Sequence, residues 1–252
     1  MDDKRYIGVD LGGWYSNNTS IAISAVIDDR LTLISLIKEP KIDDPIKKNN
    51  TLVQTLIKSS NKNAIIGIDA PFAIPAKLKG NSENYYELDK KYSHLKQLKN
   101  PYLYDNSARF VYNKTNLQVL APTSSYIGAI TVRMVDITQR FGKDLAICKS
   151  PYLNDNFATI EVYPKATLKI ILNDIPKYKG KNFNKDAILN RLKDFIYINN
   201  SLHQKINTDH DIDAIICAIS TYLINKNGFI KPSRGDLDKF SNSFIFLPNS
   251  FI

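Results

Sequence analysis

Residues 63–75 read Asn-Ala-Ile-Ile-Gly-Ile-Asp-Ala-Pro-Phe-Ala-Ile-Pro, an apolar run of strand length that ends on one carboxylate, Asp69, and breaks at once at Ala70-Pro71. A short continuous apolar run bounded by breakers suits a strand buried on both faces. The C-terminal end of such a strand is where open α/β sheets place their chemistry. Near the N-terminus, Tyr6-Ile-Gly-Val-Asp10 does the same thing before the turn Leu11-Gly12-Gly13. Taken singly, each Asp reads as a turn former whose side chain caps its own loop. Two apolar runs that both close on an aspartate reverse that balance and point to a shared site.

The segments around these strands define a mixed α/β class. Residues 19–27, Thr-Ser-Ile-Ala-Ile-Ser-Ala-Val-Ile, have strong β character, Asp28-Asp29-Arg30 supplies a hairpin turn, and residues 31–37 return as a third strand. Residues 45–60 predict a helix with Ile46, Leu52, Val53, Leu56 and Ile57 on its apolar face, and the strand ending at Asp69 follows it. Three antiparallel strands, a helix and a further strand predict a mixed sheet flanked by helices. Residues 75–125 are irregular and rich in Lys, Asn, Tyr and Pro. They read as an insertion, partly helical around 83–98, that forms a wall or lid over the site. A helix is expected over 126–141, and a strand over 159–163 with Pro164 opening the next helix. Further helices are expected over 186–199 and from 208 to about 225, the latter closed by Lys226-Asn227-Gly228. A short strand or extended tail is expected over 243–248. No internal repeat or linker interrupts this order, so residues 1–252 are expected to form one domain with an insertion.

Composition narrows the classes further. At 252 residues, with 43% hydrophobic and 23% charged, the chain has the length and balance of a soluble globular protein with a real core. Cys148 and Cys217 have neither metal-type spacing nor the density of a disulfide framework, which fits a reducing, cytoplasmic setting. No signal-peptide apolar region is seen, and no apolar stretch approaches the ~20 residues that span a bilayer, so no membrane partner is expected. The net charge of +9 fits attraction to nucleic acid and equally fits a Lys-rich compositional bias.

If the strands ending in Asp10 and Asp69 are parallel neighbours, both carboxylates project at one sheet edge. Two like charges there need a shared proton or a cation. Magnesium and manganese prefer oxygen ligands, and two-metal sites hold ions ~4 Å apart for in-line phosphoryl chemistry. A third acid comes from Thr208-Asp209-His210-Asp211-Ile212-Asp213-Ala214, which opens a helix whose apolar face carries Ile212, Ile215, Ile216, Ile219, Tyr222 and Leu223. At about 100° per residue, Asp213 lies on the flank of that face. Asp209 and His210, one turn earlier, share its side of the helix, which makes His210 an accessory candidate. Thr208-x-x-Asp211 resembles a capping box with Asp in place of Glu, so Asp211 divides evenly between a structural and an accessory role. Glu161, in Ile160-Glu-Val-Tyr-Pro-Lys-Ala, either faces solvent from the polar side of its strand or joins the site as a ligand or a neighbour of the ligands.

An Asp ending the first strand, a hairpin, an acid ending the fourth strand and Asp-Ala opening a late helix resemble the ribonuclease H-like superfamily, the late helix being similar to that of Holliday-junction resolvases. A closer resemblance is to the family called domain of unknown function 429, described as predicted RNase H-like nucleases. Its hallmarks occur in order as Gly8-Val-Asp10, Gly67-Ile-Asp69-Ala-Pro71, Glu161-Val-Tyr-Pro164, Tyr178-Lys179, Asp211-Ile-Asp213-Ala214 and Ile245-Phe-Leu-Pro248, over nearly the whole chain. The chain departs from it at Asn113-Lys-Thr115-Asn116, where relatives tend to read Arg-x-Thr-Asp. It departs again at Ser241-Asn-Ser243-Phe, where Glu-Gly-Trp often precedes Ile-Phe-x-Pro.

The resemblance implies a ribonuclease H-like mixed sheet and a metal-dependent nuclease that hydrolyses phosphodiester bonds of DNA or RNA. Asp10, Asp69, Glu161 and Asp213 are then the catalytic and metal-binding acids, with Mg²⁺ or Mn²⁺ as cofactor and nucleic acid as partner. Asp10 is expected to bridge two ions, with Asp69 and Asp213 holding one each. Arg109, Lys114, Arg133 and Arg140 are candidate phosphate contacts. Tyr102, Tyr104 and Tyr112 either stack on unpaired bases or pack the insertion onto the core. Two rivals stand beside this reading. One is a non-catalytic nucleic-acid-binding or adaptor protein on the same fold. The other is an ATP-dependent phosphotransferase, because Val9-Asp-Leu-Gly-Gly13 before a hairpin also resembles the phosphate loop of actin-like kinases. Those enzymes need a second Asp-Gly loop, whereas Asp69 is followed by Ala-Pro and the chain has only 10 Gly.

Overall fold

The computed structural model describes residues 4–80, 86–92, 95–153, 156–180 and 183–249. Strands β1 (Arg5–Asp10), β2 (Ser20–Ile27) and β3 (Arg30–Lys38) form an antiparallel meander. Its tight β2–β3 turn places Asp28 and Asp29 at φ of 49° and 60°. Positive φ at both central residues is the turn whose twist matches the flanking strands, and Asp tolerates it better than most residues. Helix α1 (Pro45–Ser60) starts where the Asp44 side chain accepts from the Lys47 N–H and Pro45 pre-sets the first turn. It ends at Asn61 in the left-handed region. The chain then re-enters the sheet as β4 (Ala64–Asp69), parallel to β1 and in register from Arg5↔Ala64 to Asp10↔Asp69.

The rest of the sheet grows outward from β4. Strand β5 (Ile147–Cys148) and β6 (Phe157–Val162) are parallel to each other, β6 is parallel to β4, and β7 (Ile245–Phe246) pairs with the C-terminal half of β6. The order is β3-β2-β1-β4-β6-β5, with β7 on β6, so the described residues build an α/β mixed sheet of seven strands, antiparallel and then parallel.

Strand alternation sorts the core. Ile7, Val9, Ile21, Ile66 and Ile68 face α1 and α3 (Gly128–Phe141), packing on Leu52, Val53, Leu56, Met134 and Ile137. The opposite face meets α7 (Asp209–Asn227), covered in turn by α4 (Pro164–Leu172) and α5 (Lys185–Leu192). Helix α7 is buried nearly all round, with Ala214, Cys217, Ala218 and Ser220 as inaccessible as its isoleucines, so one apolar stripe does not describe it. Gly8 and Gly67 are register partners, and α7 lies directly on both. A Cβ on Gly8 would stand 2.0 Å from the Ala214 carbonyl oxygen and 2.3 Å from the Ala218 nitrogen.

Three segments differ from the sequence expectation. Within 75–125 the chain forms α2 (Asn106–Thr115), capped by Asp105, which accepts from the Ala108 N–H. The helix expected around 83–98 is replaced, among the described residues, by short 3₁₀ turns at Lys90–Tyr92 and Lys96–Lys99; residues 81–85 and 93–94 lie outside the described residues. The helix expected over 186–199 stops at Leu192, because the backbone at Tyr197 leaves to bond Leu31 and Leu33 along the β3 edge. A short α6 (Asn200–His203) follows. No helix of the described residues is long and apolar enough to cross a membrane.

Gly8→Ala forces α7 off the sheet, since the contacting atoms are backbone and cannot rotate away. The expected loss is about 3 kcal/mol or more, at or beyond the upper range for overpacking, read from the urea midpoint against wild type.

Candidate metal centre

The in-register pairing of β1 and β4 sets Asp10 and Asp69 side by side at the C-terminal edge of the sheet. Helix α7 supplies the third acid, and its start is fixed by a reciprocal cap. The Thr208 hydroxyl accepts from the Asp211 N–H at 3.3 Å, and the Asp211 carboxylate accepts from the Thr208 N–H at 3.0 Å. Asp211 also accepts from Ser20 Oγ at 2.8 Å and the Asn207 N–H at 2.9 Å, and pairs with Lys38. Burial alone would raise its proton affinity, but Lys38, Ser20 and the Asn207 N–H together hold it below the usual carboxylate range. Asp211 is therefore the structural acid that fastens α7 to β2 and β3.

Two residues on, Asp213 meets the strand-end pair. One ligand oxygen each from Asp10, Asp69 and Asp213 lie within 4.8 Å of one another. Asp10 is 9% exposed and Asp213 3%. Burial pushes the Asp69 carboxyl well up, and Asp10 and Asp213 push it further. Burial also lifts Asp213, to about 6, against the opposing pull of Lys179. Burial and the neighbouring carboxylates thus favour the protonated forms of Asp69 and Asp213 unless cations compensate them.

Two basic side chains, Lys179 and His210, face the group. The Lys179 ammonium pairs with Asp213, and the Tyr178 hydroxyl donates to the same carboxylate. Burial alone would lower the Lys179 pKa, and Asp213, Asp69 and Asp10 outweigh it so that the ammonium is held well above its usual range. His210 Nδ1 lies 2.6 Å from Asp10 Oδ2, and that hydrogen bond raises the imidazole pKa. The accessory place expected for His210 beside the acids is the place it occupies. Tyr178 and Lys179 carried no role in the sequence reading. They sit in the segment after α4, and only their presence as a motif pointed to them.

Glu161 stands differently from its expectation. It pairs in register with Ile68, not Asp69, so its side chain leaves the other face of the sheet. It is buried, which removes the solvent-facing reading, and it is not one of the three clustered acids. Its Oε2 accepts from the Phe72 N–H at 3.1 Å in the turn after β4. Burial raises its proton affinity well above the carboxylate range, helped by Asp105 and Asp69.

The expected phosphate contacts are corrected at two positions. Arg133 is fully buried. Its guanidinium pairs with Glu39, donates to the Gly12 carbonyl at 2.8 Å and donates to Asn49 Oδ1 at 2.8 Å, tying the first turn to α1. Arg109 is 4% exposed and donates to the Leu98 and Lys99 carbonyls. Arg140 pairs with Asp136 and donates to Asn50 on the helical layer, and Lys114 rides over the Phe110 ring. Tyr104 accepts from Gln118 Nε2 and Tyr112 packs edge-on to Tyr92, so both serve the fold; Tyr102 remains exposed.

A cavity of about 580 Å³ opens beside the acids, with Asp10, Asp69 and Glu161 in its wall. The cations that line it are Lys165, Lys177 and Lys179, none of them among the four expected. A buried guanidinium–carboxylate pair that loses one member leaves an uncompensated charge, at a cost of about 3–5 kcal/mol. Arg133→Met is expected to lose that much stability, read from the denaturant midpoint against wild type.

The chain matches no protein-family model and no curated protein, so the meaning of this centre rests on its own geometry.

Proposed function

We propose that this protein is a divalent-metal-dependent nuclease, hydrolysing phosphodiester bonds of DNA or RNA on a ribonuclease H-like sheet. The observation that carries the reading is the convergence of Asp10, Asp69 and Asp213 within 4.8 Å. An all-carboxylate donor set suits Mg²⁺ or Mn²⁺ rather than a softer metal, and the crowding of buried acids calls for a cation. Asp10, Asp69 and Asp213 would hold such ions, which would supply an activated water and charge neutralisation at a phosphoryl group. The chain itself contributes fixed geometry. Asp10 and Asp69 ride on paired strands, Asp213 on a capped helix, and His210 orients the Asp10 carboxylate. Lys165, Lys177 and Lys179 at the adjacent cavity, with the overall charge of +9, support a polyanionic substrate. The mixed strand order and the resemblance to the domain of unknown function 429 family point the same way. The two free cysteines support a reducing cytoplasmic setting.

A second reading, a non-catalytic nucleic-acid-binding protein on the same fold, has one observation in its favour. Lys179 pairs with Asp213 and His210 hydrogen-bonds Asp10, so carboxylate oxygens that a metal would need already have partners within the chain.

Single-stranded, duplex, hybrid and branched substrates with Mn²⁺ separate the two. Cleavage is expected, and Asp10→Asn and Asp69→Asn should each slow it at least about 100-fold without loss of folding. Cleavage that survives both substitutions sinks the assignment. Binding without turnover, with no Mn²⁺-dependent rise in Tm, selects the second reading.

Proton competition gives a separate check. Asp213 sits at about 6 in the folded protein against an ordinary 3.8. Through this group the metal-free fold loses stability as pH rises between those values, because the folded state holds the proton more tightly. Mn²⁺ needs the ionised form, so its affinity should fall about tenfold for each pH unit below about 6. Calorimetric titrations from pH 5 to pH 7.5, or about that range, read the slope; a flat profile removes Asp213 from the ligand set.

A further inference from the structure

The cavity beside the acidic centre has two chemically distinct ends. One carries Asp10 and Asp69 with the lysines Lys165, Lys177 and Lys179. The other is mostly apolar, with Ala108, Val119, Leu120, Ile127, Ile130 and Ile245 beside the carboxyls of Asp105 and Glu161. Its volume of about 580 Å³ falls within the roughly 300–1,000 Å³ of sites that enclose a small ligand. A phosphodiester backbone alone explains the first end and leaves the second empty of purpose. A base-paired duplex also fails to explain it, because its apolar faces are stacked inside the helix and only charged backbone and groove edges are presented. A nucleotide whose base is unpaired has both halves: an anionic phosphate for the metal and lysine end, and a flat apolar body for the other.

We propose that this cavity holds one unpaired nucleobase of the strand whose phosphate lies at the acidic centre, so that the substrate is single-stranded or locally melted nucleic acid. This rests on the reading of Asp10, Asp69 and Asp213 as a phosphodiester-cleaving centre and names the substrate class of that site. The walls are suited to the task. Tyr163 brings an aromatic ring whose hydroxyl is tied back to the Gln118 carbonyl. Gln118, from the segment between α2 and α3, donates one amide N–H to the Tyr104 hydroxyl at 2.7 Å and brings the rest of a carboxamide of the kind that pairs with base edges. Leu120 leaves 52% of its surface open at the same wall, an apolar lip facing whatever enters. Lys165 stands in the first turn of α4 and Lys177 and Lys179 on the segment after it, cations for a strand's backbone while one base turns inward.

Fluorescence polarisation with a labelled oligothymidylate and with a labelled hairpin duplex of equal charge tests the proposal in Mn²⁺, using the Asp10→Asn protein so that neither probe is cut. The single strand should bind at least about tenfold more tightly than the duplex, the factor that one stacked base supplies. Placed in that background, Val119→Trp fills the apolar end and Leu120→Glu charges its lip. Each should lower single-strand affinity about tenfold or more while duplex affinity stays unchanged. Leu120 is exposed, so Leu120→Glu keeps the test available if the Val119 variant does not fold. Equal affinity for both probes, or folded Leu120→Glu protein that binds oligothymidylate like its parent, overturns the pocket assignment. Failure of the underlying nuclease reading shows elsewhere: in wild-type and Leu120→Glu protein with the intact acids, it appears as no Mn²⁺-dependent rise in Tm and no cleavage.

Discussion

The close seating of α7 on Gly8 and Gly67 is the contact on which the rest of the structure depends. Two register-paired strands each lack a side chain at the same level, and a helix backbone fills the space. That approach brings the first turns of α7 over the strand ends, two residues beyond each glycine, where Asp10 and Asp69 emerge on the same face. A helix held off by ordinary side chains, at the usual 8–10 Å or more between packed elements, would leave Asp213 short of the pair. The small residues Ala214, Cys217 and Ala218 on the contacting side of α7 serve the same end. Packing and site are thus one arrangement, and the apolar core on both faces of the sheet keeps it rigid.

Much of this arrangement was legible in the chain because its carriers are local. An apolar run ending in Asp followed by a breaker declares a strand and its acidic tip, and Thr208-x-x-Asp211 declares the start of a helix. Both patterns hold their meaning without knowledge of distant residues, and of the four acids nominated as ligands Asp10, Asp69 and Asp213 are the three that converge. The features that were not legible are those decided by partners far along the chain. Arg133 looks like a surface cation until Glu39, brought from the end of β3, buries it. Lys179 looks like one more lysine until α7 delivers Asp213 to it. Glu161 was left between solvent, ligand and neighbour of the ligands, since only the β4–β6 register reveals that its partner is Ile68 and that it leaves the sheet on the other face. Helix α2 was hidden for a different reason. Asn106, Ser107 and Arg109 are buried with Phe110 and Val111, so polar residues interrupt the apolar periodicity that marks a helix.

Asp211 and Asp213 show how the same side chain, two residues apart on one helix, is turned to opposite ends. Asp211 is wholly buried yet held below the usual carboxylate range, because Lys38, Ser20, Thr208 and two backbone N–H groups saturate its oxygens. A carboxylate so fully satisfied has no capacity left for a ligand. What it does is fix the rotational phase of α7. At about 100° per residue, a slip of one position would swing Asp213 away from the sheet edge. Asp213 in turn accepts only from Tyr178 and Lys179 among the described residues, and beside Asp10 and Asp69 it is pushed toward holding a proton. The stable acid thereby positions the strained one: the cap fixes the start of α7, and with it the place of Asp213 beside Asp10 and Asp69.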